Sequence, residues 1–126
     1  MNRRPEEIRL TPQYQLALEL LKNEPTPVTG GQSVADAGIR GCAFAWTAAL
    51  LVARRDVVLG RYPTELRTHN GRRARHDLIQ ELVDAYMYST QIDLEAGLDP
   101  LFPSLRTTRI EQLIKNELVE MGLWAS

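Results

Sequence analysis

The chain has 126 residues, 15 Lys+Arg against 16 Asp+Glu, 44% hydrophobic residues and a single cysteine. That length fits one domain spanning 1–126 that buries about 65–70% of the surface its unfolded chain exposes, and its charge and apolar content together exclude a disordered segment. One Cys excludes a disulfide framework and an all-cysteine zinc site, and a net charge of −1 excludes a protein that coats nucleic acid non-specifically.

The first residues, Met1-Asn2-Arg3-Arg4-Pro5-Glu6-Glu7, carry no apolar h-region, so no secretory signal is expected. Thr11-Pro12 reads as a helix start, because Thr caps and Pro suits the first helical position. Tyr14, Leu16, Ala17, Leu18, Leu20 and Leu21 follow, which predicts helix A from Pro12 to Asn23. Pro25, Pro27, Gly30 and Gly31 then break the chain. Ser33 is the next cap, with Asp36 three residues on, and helix B is expected from Val34 to Val58. Gly38, Gly41, Ala45, Ala49 and Ala53 recur at three- and four-residue spacing, a stripe that lets another helix approach closely. The run from Cys42 to Ala53 is apolar nearly all round. It is shorter than the ~20 residues of a membrane span, so it reads as the central, buried helix of the fold. Trp46 and an inert Cys42 are expected in that core.

Residues 59–72 carry the turn signals Gly60, Pro63, Asn70 and Gly71, and read as a loop with one helical turn after Thr64. Val57, Val58, Leu59 and Tyr62 have strand character but no evident partner strand. Helix C is expected from Arg72 to Glu95, with Leu78, Ile79, Leu82, Val83, Tyr86 and Met87 as its buried face and Gly97 as its stop. Thr108-Arg109-Ile110-Glu111 reads as the capping box of helix D. Its stripe is Ile110, Leu113, Ile114, Leu118 and Met121, Glu111 and Lys115 form an i,i+4 pair, and Gly122 ends the helix. The expected fold is all-α: about four helices, bundle-like or irregular, around a central apolar helix. The excess of apolar surface on that helix points to a homodimer.

Neutrality overall hides an uneven distribution. Residues 61–76 hold five Arg and one acid, Glu65, whereas 77–126 hold three basic and nine acidic residues. Arg67, Arg72, Arg73 and Arg75 are the candidate phosphate ligands. Guanidinium groups bind phosphate through a bidentate fork, and free N–H groups at the start of helix C favour anions. The other reading is a solvated loop whose arginines pair with acids. His69 and His76 flank the cluster as candidate proton donors or ligands. Asp77, Glu81 and Asp84 lie along one face of helix C at i, i+4, i+7, and Tyr88 continues that line. Like charges at that spacing repel, so arginines, water or a divalent cation must offset them, and they are the candidate Mg²⁺ ligands. A solvated acidic face is the alternative.

The segment Gln80-Glu81-Leu82-Val83-Asp84-Ala85-Tyr86 resembles the third-helix E-x-x-D motif of the all-α NTP pyrophosphatases, the MazG-like superfamily. The resemblance covers residues 76–95. It implies Mg²⁺ on Glu81 and Asp84, and hydrolysis of a nucleoside triphosphate to a monophosphate and pyrophosphate. The family's second acidic cluster, E-E-x-x-E, has no counterpart on helix B, whose acids are Asp36 and Asp56. No GxGxxG, P-loop, HExxH, CxxC or GxSxG motif is present. Two functions stay open for a cytoplasmic, membrane-free protein. One is a nucleotide-binding, Mg²⁺-dependent hydrolase. The other is a non-enzymatic helical protein that binds protein or nucleic acid through the Arg-rich segment 54–75.

Overall fold

Buried polar groups, rather than a broad apolar core, organise this chain. In the computed structural model, which describes residues 4–22, 31–61 and 65–124, the buried hydrophobic side chains are Leu20 and Ile79, while Ser33, Ser89, Asp93 and Thr107 are buried polar ones. Six helices form among the described residues: α1 (Pro5–Ile8), α2 (Pro12–Leu21), α3 (Val34–Gly41), α4 (Ala45–Leu59), α5 (Ala74–Glu95) and α6 (Leu105–Glu120). The all-α expectation holds, and none of these helices is long and apolar enough to cross a membrane. The chain divides into two compact units. Unit 1 comprises Met1–Asn23 and Arg73–Ser126, and unit 2 comprises Glu24–Arg72.

In unit 1, α2 starts at Pro12 as its sequence dictates, but Thr11 does not cap it. Its hydroxyl instead donates to the Ile8 carbonyl and closes the short α1, which the sequence reading did not foresee. Asn23, the expected end of helix A, lies outside the described residues, as do Pro25, Pro27, Gly30, Tyr62, Pro63 and Thr64. Helix α5 matches the predicted helix C in extent, but of the expected buried face Ile79 is buried, Leu82, Val83 and Tyr86 are half-buried, and Leu78 and Met87 are exposed. Both α5 and α6 end as their glycines require. Gly97 (φ 83°) and Gly122 (φ 74°) adopt the left-handed conformation that costs glycine nothing. The Leu98 and Leu123 amides then reach back to the Asp93 and Leu118 carbonyls, each 3.0 Å away. The start of α6 differs from expectation. Ser104, not Thr108, is its cap, accepting from the Thr107 amide at 3.3 Å. The decisive competitor is Asp93, which accepts from the Ser104 amide at 3.0 Å and fixes where the helix begins.

Asp93 anchors a closed hydrogen-bonded ring between α5 and α6. The Arg106 Nε donates to Ser89 Oγ (2.7 Å), Ser89 Oγ lies 2.5 Å from Thr107 Oγ1, and Thr107 Oγ1 donates to Asp93 Oδ2 (2.7 Å). An Arg106 terminal nitrogen returns to Asp93 Oδ1 at 2.8 Å. A guanidinium only donates and a carboxylate only accepts. The Thr107 proton is committed to Asp93, so Ser89 must be the donor to Thr107, and every hydroxyl in the ring points one way round. No buried side-chain nitrogen or oxygen among the described residues is left without a partner. The Ser104 amide holds the Asp93 carboxyl below its ordinary range, with the Thr107 and Ser104 hydroxyls and the Arg106 charge adding to it, against an opposing effect of burial.

Unit 2 corrects the sequence reading most. The single helix B is two helices, broken at Cys42-Ala43-Phe44, where Cys42 (ψ 149°) and Phe44 (ψ 141°) are extended. Gly38 and Gly41 each cost a helix about 1 kcal/mol relative to Ala, which weakens the first half. Reversing the chain lets α3 pack on α4 instead. A Cβ on Gly38 would lie 3.4 Å from Leu51 Cδ1, and Arg55 reaches Asp36 at 2.5 Å. The small residues of the predicted stripe are thus divided between two helices. Ser33 does cap α3, accepting from the Asp36 amide at 3.3 Å. The segment read as loop pairs with the residues before α3: Ser33 and Arg67 form an antiparallel bridge, with Val34 N–H to Leu66 O at 3.0 Å and Thr68 N–H to Gln32 O at 2.9 Å. Gly31 is needed there, since a Cβ would stand 2.9 Å from Thr68 Oγ1. Residues 57–59, which had strand character, are the last turn of α4.

Two outcomes follow from the ring. Thr107→Val keeps the shape of a side chain only 1% exposed but leaves the Ser89 proton without its acceptor and takes one of the donors from Asp93. We expect a loss of about 1–3 kcal/mol, read from the midpoint of urea unfolding. Asp93 has a depressed folded pKa. Its contribution is therefore complete above the unfolded value of about 3.9 and is lost as pH falls through the lower folded value. Thermal unfolding from pH 7 to pH 2 should show wild type losing stability below about pH 4. Asp93→Asn should start less stable at neutral pH and show a shallower acid limb.

Candidate functional site

The candidate phosphate ligands sit in both units. Arg67 and Arg72 belong to unit 2, Arg73 and Arg75 to unit 1. Within unit 2, the Arg67 guanidinium donates to the Gly31 carbonyl at 2.9 Å and lies 3.5 Å from Glu65, bracing the antiparallel bridge. The Arg72 amide donates to Asn70 Oδ1 at 3.1 Å, part of a tight turn through His69 (φ 54°) and Gly71 (φ 82°). Within unit 1, the Arg73 guanidinium donates to the carbonyl of Lys22, the C-cap of α2. A cation there complements the negative end of the helix dipole. Arg75 is ion-paired with Glu120 at 3.1 Å, linking the start of α5 to the end of α6. Each arginine whose side chain has a described partner thus braces its own unit.

The three carboxylates lie on α5 as their spacing requires. Asp77 is half-buried in the first turn, Glu81 is exposed and Asp84 is half-buried. Among the described residues no three His, Cys, Asp or Glu side chains are grouped as a metal site needs. His69 is exposed, and His76 is half-buried in the first turn of α5. Cys42 is half-buried at the end of α3, its thiol 3.4 Å from the Ile39 carbonyl, and so lies outside any central helix.

Lys115 does not serve mainly as the partner of Glu111. Its ammonium stands 5.3 Å from the centroid of the Trp124 ring. With Val83, Tyr86, Met87 and Ile114, this pair lines a groove of about 450 Å³ between α5 and α6. Tyr86 is half-buried, as expected, while Tyr88 is exposed on another face of α5.

The largest departure from the sequence reading is α4, which is not a buried central helix. Trp46 is 79% exposed, Leu50 62% and Val57 49%, and no residue of α4 is buried. The half-buried positions are Ala48, Leu51, Arg55 and Val58, the row that faces α3. At 100° per residue, Trp46, Ala49, Leu50, Ala53 and Val57 form a second row on the opposite side. All five are exposed. Sequence reasoning saw the all-round apolarity and assigned it to a core. A helix of that composition next to one short partner helix serves equally well as an open surface.

Comparisons with protein-family models, with curated proteins and with solved structures give no match for this chain.

The arginine geometry gives a test. Arg73→Ala removes a charged donor from a helix end and should cost about 1–2 kcal/mol in urea unfolding without any ligand. Arg75→Ala breaks an exposed pair and should cost at most about 1 kcal/mol. Unchanged stability in Arg73→Ala would contradict its bracing role.

Proposed function

We propose that this chain is a non-enzymatic helical interaction protein whose working surface is the apolar side of α4. One observation carries the reading: the exposed row Trp46–Leu50–Val57 stands opposite the row packed on α3. Unit 2 has no buried hydrophobic side chain among its described residues, since Leu20 and Ile79 both belong to unit 1. A unit of that size stands near the limit at which a core alone sustains folding, and oligomerisation is a common remedy. The surface is apolar rather than basic, which favours a protein partner over nucleic acid.

The rival proposal is a phosphate-bearing ligand such as a nucleotide, held by Arg67, Arg72, Arg73 and Arg75. Mg²⁺ would sit on Glu81, Asp84 and Asp77, and the nucleoside triphosphate would be hydrolysed. It draws on the positive charge of residues 61–76.

Two measurements separate them. In a Trp124→Phe background, Trp46 fluorescence at the lowest workable concentration should be quenched by acrylamide almost as freely as in the unfolded chain. Thermal unfolding should not respond to Mg²⁺, to deoxynucleoside triphosphates, or to both. A nucleotide at a hundred times its dissociation constant would add about 2.7 kcal/mol. A shift that needs metal and nucleotide together would replace our reading with the rival. A monomeric chain in which Trp46 is shielded at every concentration would remove the open surface itself.

A further inference from the structure

We infer that unit 2 is an inserted module that unfolds and refolds as one piece while unit 1 stays folded. Its chain, Glu24–Arg72, begins after α2 and ends before α5, so it interrupts unit 1 in sequence. The inference concerns when the α4 surface exists and does not depend on what covers it.

Unit 1 is complete without the insertion. Helices α2 and α6 both pack on α5. Helices α2 and α5 supply the buried hydrophobic side chains Leu20 and Ile79, and the hydrogen-bonded ring joins α5 to α6. The two points between which unit 2 is inserted are also tied to each other. Arg73, the N-cap residue of α5, donates from its guanidinium to the carbonyl of Lys22, the C-cap of α2. Unit 1 therefore holds the ends of the insertion by its own contacts. When unit 2 opens it becomes a loop that unit 1 closes. The entropy cost of closing a loop rises only with the logarithm of its length, so an opened insertion of this size does not pull unit 1 apart.

Unit 2 is held by weaker means. No hydrophobic side chain is buried among its described residues. Its bridge rests on backbone hydrogen bonds, with the Gln32 amide also donating to Thr68 Oγ1 at 2.9 Å. Its helices are joined by the Arg55–Asp36 pair, in which the Asp36 side chain is 58% exposed. Hydrogen bonds that water can replace and exposed ion pairs each contribute little. A segment with so little apolar burial opens at a free energy below that of the whole chain.

The contacts interlock, which makes the opening a single event. Ser33 both caps α3 and forms the antiparallel bridge with Arg67. Asp36, in the first turn of α3, carries the ion pair to α4. Loss of the α3 start therefore releases the bridge and α4 together. The exposed row of Trp46, Leu50 and Val57 belongs to the part that opens. A partner that binds only the folded form would draw unit 2 toward it by mass action.

Native-state hydrogen exchange of the full chain, read amide by amide by NMR across sub-denaturing urea concentrations, tests this. The amides of α3, α4 and the bridge, Val34 and Thr68 among them, should converge on one common opening. Their protection factors should lie roughly tenfold or more below those of the slowest amides of α5 and α6. Ser33→Ala removes the α3 cap and should speed exchange throughout α3, α4 and the bridge by about fivefold. Thr107→Val should speed the slowest amides of α5 and α6 by about fivefold or more and leave those of unit 2 unchanged. Equal acceleration of both units by Thr107→Val would show that the chain opens as a whole and would overturn the inference. Unit 2 amides that each exchange by their own urea-insensitive opening would overturn it too, as would unit 2 amides with no protection or with protection equal to that of unit 1. None of these outcomes depends on a partner, so the interaction reading is tested separately.

Discussion

The closed ring of Arg106, Ser89, Thr107 and Asp93 is the constraint on which unit 1 depends. Apolar side chains on two helices tolerate a slide of one turn; an oriented ring does not. A donor-only guanidinium, two hydroxyls with one proton each and an acceptor-only carboxylate can be satisfied together in only one register. Asp93 also ties the ring to the backbone at both ends. Its side chain holds the Ser104 amide at the start of α6, and its carbonyl accepts from Leu98 at the end of α5. One residue therefore sets where one helix stops and the next begins. The Arg75–Glu120 pair and the Trp124–Lys115 contact lie farther along the same helix pair, in a register the ring has fixed.

No such device is present among the described residues of unit 2. Their buried side chain is Ser33, spent on capping α3, and the bridge is secured by backbone hydrogen bonds and the Arg67 guanidinium. The unit's two helices meet along one row, with Gly38 against Leu51 and Asp36 against Arg55. Such packing holds a hairpin together but uses one side of α4. Covering the other side with an apolar partner surface would supply apolar burial without any change to the unit's internal contacts.

What the sequence made legible divides along the same line. Helix ends governed by local chemistry were readable: Pro12 at the start of α2, Ser33 with Asp36, and Gly97 and Gly122 as left-handed stops. The α5 face was readable only in part: Ile79 is buried and Leu82, Val83 and Tyr86 are half-buried, but Leu78 and Met87 are exposed, and the buried Ser89 and Asp93 are polar positions that an apolar period does not flag. The start of α6 was not, because two capping patterns compete there, and the winner is chosen by Asp93, eleven residues away. The break at Cys42–Phe44 was hidden for a related reason. Periodicity reports that residues favour a helix; it does not report that the chain turns back to bring Gly38 against Leu51. The arginine cluster was visible as charge but not as geometry. Arg67 and Arg73 each donate to a backbone carbonyl in a different unit, and no spacing rule separates a phosphate fork from a carbonyl brace.

That distinction bears on function. A guanidinium bound to a main-chain carbonyl keeps donors for a further acceptor, so bracing does not by itself abolish anion binding. It does mean that Arg67, Arg73 and Arg75 need no ligand to explain them. The α4 row differs in kind. A backbone carbonyl accounts for Arg73, but nothing among the described residues of unit 2 accounts for a tryptophan, a leucine and a valine aligned on the side of α4 away from α3. A helix stable by propensity alone would carry polar residues there at no cost, since Ala, Glu, Lys and Gln all support helix better than Trp or Val. Trp46 and Val57 lower intrinsic helicity, Leu50 does not, and all three raise the exposed apolar area. That area is the penalty a covering surface would remove, and it is why an interaction role is proposed rather than chemistry at the arginines.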